Sequence, residues 1–126
     1  MRVFKTKAFA RIARKEALGD KALAGAIADI ERGLIDADLG GGLIKQRIAR
    51  RGEGKRGGFR TLIACHLGKR AIFLFAFAKG DQANISPEDT RDLKDFGTIL
   101  LALTEEAIDR MITNSELQEI IYGKKN

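Results

Sequence analysis

Residues 71–78 form an unbroken apolar segment, Ala-Ile-Phe-Leu-Phe-Ala-Phe-Ala, which is followed by Lys79. The segment is too short for a membrane-spanning helix, and its length and aromatic content are typical of a buried strand. Because successive side chains of a strand point to opposite faces, both faces of this strand are apolar. The segment therefore predicts a strand at the centre of a sheet.

Alternating side chains predict two more strands immediately before this one. In the segment 43–49, apolar residues share one face, and Lys45 and Arg47 share the other. The segment 59–67 is the second strand, and Arg60 lies near its start. Glycine-rich connections precede and separate the two strands, so we expect them to pair in antiparallel fashion with the central strand.

Helical spacing of apolar residues predicts helices on both sides of these strands. The segments 7–18 and 20–32 have this spacing, and a glycine follows each of them. Ser86, followed by proline and two acidic residues, is a strong helix start, and Thr104 can cap another helix. The segment 116–122 fits either a frayed helix or a short edge strand.

These elements predict an α+β fold. N-terminal helices pack on a small antiparallel β-sheet, and C-terminal helices follow, with a short first strand over residues 3–5. A chain of 126 residues without repeats or a linker is expected to be one domain, spanning 1–126.

Positive charge is concentrated in one short part of the chain. The net charge is +6, and residues 43–60 carry seven basic side chains against one acidic side chain. Residues 80–123 carry three basic and ten acidic side chains. Arginine's planar fork suits phosphate, so this cluster predicts a surface for a polyanion, although a solvated charged face is the simpler alternative. The basic residues are Lys45, Arg47, Arg50, Arg51, Lys55, Arg56 and Arg60.

The chemistry available to this chain is narrow. With one histidine and one cysteine, the chain lacks a recognisable metal-ligand set or a nucleophile–histidine arrangement, and no cofactor motif is present. Cations alone can stabilise the charge that develops on phosphate when RNA is cleaved by its own 2′-hydroxyl. Spacing alone does not separate such cleavage from simple binding of backbone phosphate.

The cellular compartment is predicted from three features. The N-terminal residues lack the apolar region of a secretory signal, and no apolar run is long enough to span a membrane. Cys65 is the only cysteine and lies in an apolar strand, where a buried, inert thiol is expected. We therefore expect a cytoplasmic protein.

Several motifs, in the right order and spacing, resemble the RelE/HigB branch of the RelE/ParE toxin superfamily. They are Gly41–Arg50, Gly57–Thr61 and Phe75–Lys79, together with the opening residues 2–7 and the loop 34–40. The resemblance implies a compact unit of helices on a small antiparallel sheet. It also implies metal-independent, ribosome-dependent cleavage of mRNA by the toxin of a type II toxin–antitoxin pair, restrained by a cognate antitoxin.

The resemblance also implies roles for individual residues. Lys45 and Arg47 look like the basic strand pair that RelE toxins place at the scissile phosphate. Arg60, after Gly-Gly-Phe, matches the arginine of the Gly-Tyr-Arg motif that stabilises the transition state. Lys79 ends the central strand near the place where RelE toxins carry Lys-Arg. Arg50, Arg51, Lys55 and Arg56 are then expected to steer and bind RNA.

The chain departs from the family pattern at two places. Gly80 stands where some relatives have arginine, and residues 84–86 lack the base-stacking tyrosine of some RelE toxins, Tyr122 being the only tyrosine. His66 is a secondary candidate for RNA binding if it faces the site together with Arg60. Three phenylalanines at alternate strand positions are either core residues or base-stacking residues: Phe73, Phe75 and Phe77.

Two other functions are compatible with this resemblance. A ParE-like protein would inhibit DNA gyrase by protein binding and would not cleave RNA. A degenerate paralogue would bind RNA or an antitoxin without activity. The cluster of Lys45, Arg47 and Arg60 favours the RNA-cleaving toxin, whose partners would be a cognate antitoxin and mRNA on the ribosome, with contacts to ribosomal RNA.

Overall fold

A computed structural model describes residues 1–49, 58–78 and 85–123. The strands of this part of the chain are β1 (Arg2–Thr6), β2 (Ala37–Asp38), β3 (Leu43–Ile48), β4 (Phe59–His66), β5 (Arg70–Ala78) and β6 (Leu117–Ile120). Its helices are α1 (Lys7–Lys15), α2 (Asp20–Glu31), α3 (Pro87–Ala102) and α4 (Glu105–Thr113). The strands form one mostly antiparallel sheet in the order β2-β3-β4-β5-β1-β6, which confirms the predicted α+β class.

The apolar segment 71–78 lies within β5, between β4 and β1, as its two apolar faces predict. Phe73 is fully buried on the face covered by α1 and α2. Leu74 and Phe77 belong to a second core on the other face, which α3 and α4 cover. The sheet is therefore the middle layer of three, and each face has its own hydrophobic core.

The first strand differs from the antiparallel expectation. β1 pairs parallel with β5, placing Arg2 beside Arg70, and antiparallel with β6. β6 shows that the ambiguous segment 116–122 contains an edge strand. β2, expected to be loop, is a two-residue strand on β3, too short for side-chain alternation to reveal.

The predicted caps of the two C-terminal helices are confirmed. The Ser86 hydroxyl accepts a hydrogen bond from the Asp89 amide, and the Thr104 hydroxyl accepts one from the Ala107 amide. The first helix ends earlier than predicted, at Lys15, because the chain turns through a positive φ of 58° at Ala17.

Two residues hold α3 against the sheet. Arg70 is 1% exposed, and its guanidinium donates hydrogen bonds to the carbonyl oxygens of Leu100 and Leu103, each at 2.9 Å. It also forms an ion pair with Glu105 at 2.7 Å. At Gly97, a Cβ atom would lie 2.9 Å from the Cβ of Ala64 on β4, so only glycine permits this approach. These contacts fix where α3 stands relative to β3 and β4.

Within the described ranges, no helix has the length and apolar character needed to cross a lipid bilayer.

Candidate functional site

β3 and β4 bring three cationic side chains together on one face of the sheet. In their antiparallel register Arg47 pairs directly with Arg60, and Lys45 pairs with Leu62. Direct cross-strand partners have Cβ atoms about 4.5–5.5 Å apart, and diagonal neighbours, such as Lys45 and Arg60, about 7–8 Å. The register thus places these three residues next to one another, as strand alternation predicts, and Arg47 also lines a cleft beside α2. We call Lys45, Arg47 and Arg60 the cationic cluster.

No side chain of the cationic cluster forms an ion pair in the described part of the chain, although the Asp36 carboxylate accepts a hydrogen bond from the Arg47 backbone amide at 2.6 Å. None of the ion pairs there includes any of its three members. Arg60 is partly buried, and its Nη1 atom is buried without a hydrogen-bond partner among the described residues. Like charges directly opposite one another destabilise a sheet, and a buried donor without an acceptor adds a penalty. Both features would be relieved by a bound anion.

Buried hydrogen bonds hold the backbone between Lys45 and Arg47. The Gln46 side chain, 2% exposed, donates to the Leu34 carbonyl oxygen at 2.7 Å and accepts from the Asp36 amide at 3.1 Å. The Thr61 hydroxyl donates to the Gln46 carbonyl oxygen at 2.8 Å. These contacts hold β3 on the sheet face opposite Lys45 and Arg47. The backbone that carries the two cationic side chains is therefore rigid.

A cleft of about 480 Å³ opens beside Lys45, between β3–β4 and the N-terminal half of α3. Two further cations line it, Arg91 and Lys94, and no carboxylate of the described residues does. The remaining lining residues are Leu39, Leu62, Phe77, Ile85, Pro87 and Thr90. Sequence reasoning missed Arg91 and Lys94 because they lie in the acidic part of the chain. Their spacing of three on a predicted helix was the signal that could have found them.

His66 is not brought to the cationic cluster. It shares the face of Arg60 on β4 but lies six residues further along, which is roughly 20 Å at the rise of a strand. It is exposed there and lines a separate cleft with Gly41 and Leu101. A shared strand face is therefore not sufficient for a shared site.

Five other predicted site residues lie outside the described residues. These are Lys79, Arg50, Arg51, Lys55 and Arg56.

The phenylalanines of β5 divide between core and cleft. Phe73 is fully buried, with its ring centroid 5.1 Å from that of Phe9. Phe77 lines the cleft and is 9% exposed, while Phe75 is partly exposed in an adjoining cleft. The core interpretation is thus confirmed for Phe73 and Phe77, although Phe77 also lines the cleft, whereas Phe75 is only partly buried.

The two remaining residues of chemical interest lie away from the cationic cluster. Tyr122 packs against the core under α1 and α2, and its hydroxyl donates to the Glu31 carboxylate. Burial and this carboxylate raise the pKa of Tyr122 to about 12. Cys65 is buried in the same core, and burial raises the pKa of its thiol to about 11, as expected of an inert cysteine.

The described residues include no group of three or more His, Cys, Asp or Glu side chains that could hold a metal ion together. The chemistry that this geometry offers comes from fixed cations on a rigid strand pair, next to a cleft with an apolar wall. Such a surface can bind phosphate and stabilise negative charge that develops on it.

Comparison with known proteins gives one family. The model of a family described as "RelE toxin of RelE / RelB toxin-antitoxin system" matches residues 1–120. No curated protein matches the chain.

Proposed function

Because this chain belongs to the RelE toxin family, we propose that it is a ribosome-dependent mRNA endoribonuclease that needs no metal and is neutralised by a cognate antitoxin. The observation that carries this proposal is the cationic cluster. Its two arginines stand directly opposite each other, and neither guanidinium forms an ion pair with a described residue. A phosphodiester bound across β3 and β4 would supply the missing negative charge.

Cleavage by the substrate's own hydroxyl fits these residues. The 2′-oxygen attacks the adjacent phosphorus, so that a P–O2′ bond forms while the P–O5′ bond breaks. The products are a 2′,3′-cyclic phosphate and a 5′-hydroxyl. Arg47 and Arg60, with guanidinium forks suited to phosphate oxygens, would hold the phosphate and stabilise the charge of its pentavalent transition state.

Proton transfer would fall to Lys45 within the cationic cluster. Arginine stays protonated in proteins, whereas lysine can give up and regain a proton. One proton must leave the 2′-hydroxyl and one must reach the departing 5′-oxygen. Lys45 lines the cleft, so its amino group is available to a bound strand. We assign it to one of these two transfers, the other being made by a group on the substrate complex.

The antitoxin is proposed to cover the same surface. A partner that lays an acidic helix or strand over the cationic cluster would neutralise the like charges and block access of RNA. Toxicity and antitoxin binding would then depend on overlapping residues.

Induced expression with mapping of mRNA 5′ ends tests the proposal. The wild type should produce new 5′ ends within translated messages. Arg60→Ala should reduce cleavage by about 10²-fold or more, because it removes one electrostatic stabiliser of the transition state. Arg11→Ala, which changes an exposed arginine of α1, serves as the matched control and should cleave normally.

Three results would contradict this proposal. Intact transcripts on translating ribosomes would exclude mRNA cleavage, and gyrase-linked DNA breaks in the same cells would favour the ParE-like alternative. Binding of antitoxin or RNA without either lesion would instead identify an inactive paralogue.

A further inference from the structure

We propose that the cleft between β3–β4 and α3 is a second nucleotide-binding subsite, in which Arg91 and Lys94 bind the phosphate of a nucleotide next to the scissile one. The nucleobase would lie against the apolar wall of the same cleft. This inference rests on the proposed RNA-cleaving function and extends it to residues of α3.

The first support is the way charge is divided around α3. Pro87, Thr90, Arg91 and Lys94 lie at positions i, i+3, i+4 and i+7, which form one stripe along a helix. This stripe lines the cleft, whereas none of the four acidic residues of α3 does. The acidic residues are Glu88, Asp89, Asp92 and Asp95. Of the charged residues of α3, only Arg91 and Lys94 line the cleft beside Lys45, while Asp89 and Asp92 line the adjoining cleft.

The second support is the placement of Lys94. Its side chain runs over the glycine turn that precedes β3, where Gly40 and Gly41 both have positive φ. A Cβ on Gly40 would lie 3.5 Å from the Lys94 ammonium nitrogen, and one on Gly41 would lie 3.7 Å from its Cδ. Both distances are ordinary van der Waals contact, so the Lys94 side chain packs beside this turn at the edge of the cleft, and a stem packed in this way loses less entropy on binding.

The third support is the combination of charge with an apolar wall. The cleft volume, about 480 Å³, falls within the range of roughly 300–1,000 Å³ that is usual for small-ligand pockets. Cations beside an aromatic and aliphatic surface are the arrangement that binds single-stranded nucleic acid, through backbone phosphate and base face together. Phe77, which pairs with Arg60 across the strands, connects this wall directly to the cationic cluster.

The test measures binding of a single-stranded oligonucleotide with 2′-O-methyl groups at every position, which lacks the attacking hydroxyl. Arg91→Gln combined with Lys94→Met removes both charges and keeps most of each stem. We expect the Kd to rise by about tenfold or more. The slope of log K against log salt should become shallower by about 0.7, because the variant no longer neutralises this one phosphate.

Two double variants serve as controls. Arg91→Lys combined with Lys94→Arg keeps both charges and should preserve the salt slope. Arg11→Gln combined with Lys21→Met removes two exposed cations from α1 and α2 and should bind like the wild type. Circular dichroism melts verify that all variants fold, which is expected because the changes lie at exposed or cleft-lining helix positions that favour helix formers.

The inference is overturned if the Arg91/Lys94 charge-removal variant binds with the wild-type Kd and slope, or if it loses antitoxin binding alone. It is also overturned if the wild type does not bind the oligonucleotide. The proposed cleavage function has its own readout in the mRNA ends and in Arg60→Ala. If the protein cleaves mRNA normally but the Arg91/Lys94 charge-removal variant has the wild-type Kd and slope, only the proposed subsite is refuted.

Discussion

Arg47 and Arg60 occupy positions where a sheet would ordinarily place opposite charges or apolar groups. Their cross-strand pairing, together with the buried Nη1 of Arg60, reduces the stability of the β3–β4 pair. Residues that violate the rules of a stable fold tend to do so where function requires it. We therefore propose that the two arginines belong to the functional site, on energetic as well as on chemical grounds.

Replacing Arg60 by methionine should separate stability from activity. Arg60→Met keeps an unbranched stem of similar shape and removes both the like-charge pair and the buried donor without an acceptor. We expect the free energy of unfolding to rise by about 1 kcal/mol, while mRNA cleavage is abolished. Urea denaturation measures the first effect. Lys69→Met, in the exposed β4–β5 turn, should change stability by less than about 0.5 kcal/mol, and a destabilised Arg60→Met would contradict the expected penalty.

At the scale of elements, the approach of α3 to β4 determines the shape of the cleft. Gly97 touches Ala64 so closely that a side chain at this helix position must displace the helix or the strand. Arg70 holds the C-terminal end of α3, close to Gly97, by its hydrogen bonds to Leu100 and Leu103. The distance between Lys45 and the α3 cations is thus fixed by interactions outside the cleft itself.

Two glycine-to-alanine changes test this approach. Gly97→Ala should destabilise the protein by about 1–3 kcal/mol through overpacking, although alanine is the better helix former. Gly25→Ala is the matched control, since Gly25 lies within α2 and nothing stands within 4 Å of its missing Cβ. It should stabilise the protein by about 0.5–1 kcal/mol. Equal effects of the two changes in urea denaturation would rule out the close approach.

A network of ion pairs ties β1, α4 and β6 together and predicts sensitivity to acid. Hydrogen bonds from Arg70 and then Arg2 hold the pKa of Glu105 below its usual range, and Arg2 lowers the pKa of Glu119. The folded-state pKa of each carboxyl is lower than its unfolded value, so the unfolded chain binds more protons in acid. The stabilisation is therefore present above about pH 4.5 and lost as pH falls below it.

Urea midpoints between pH 7 and pH 3 measure this dependence. Glu105→Gln combined with Glu119→Gln should flatten the acidic limb of the curve. Glu106→Gln, at a neighbouring glutamate that enters no ion pair of the described residues, should keep the wild-type limb. An unchanged limb in the double variant would show that the network does not carry the acid sensitivity.

For the whole molecule, local patterns predict most elements but not their long-range arrangement. The apolar segment 71–78 and the alternation of 43–49 are sufficient for β5 and β3, because burial dictates these patterns residue by residue. Nothing near Arg2 signals that β1 pairs parallel with β5 and that β6 joins its other side. That arrangement depends on interactions between segments far apart in the chain, which periodicity does not encode.

The residues of the candidate site are also predictable only where a local pattern reveals them. Lys45, Arg47 and Arg60 follow from alternation on adjacent strands, and the register agrees with it. Arg91 and Lys94 were not predicted because the net charge of residues 80–123 is negative, and a regional sum does not show that two basic residues share one helix face. Strand alternation puts His66 on the face of Arg60, but the distance along β4 separates the two.

The edge strand β6 is expected to be essential for the whole fold. Leu117 and Ile120 are 1% and 2% exposed, so removing residues 116–126 would uncover β1 and one end of both cores. We expect this variant to aggregate, because an open apolar strand edge templates pairing between chains. A variant lacking only 124–126 keeps β6 and serves as the control. Soluble yield and a cooperative urea transition measure the outcome, and normal folding of the shorter chain would contradict the prediction.

The parallel pairing of β1 with β5 also affects the order in which the strands pair during folding. β3, β4 and β5 follow one another along the chain, so their hairpins close small loops and can form early. β1 must wait for β5 and β6, and such non-local pairings are the slow steps of folding. A nascent chain would therefore assemble the strands of the cationic cluster first, while the opening strand docks last and completes the protein.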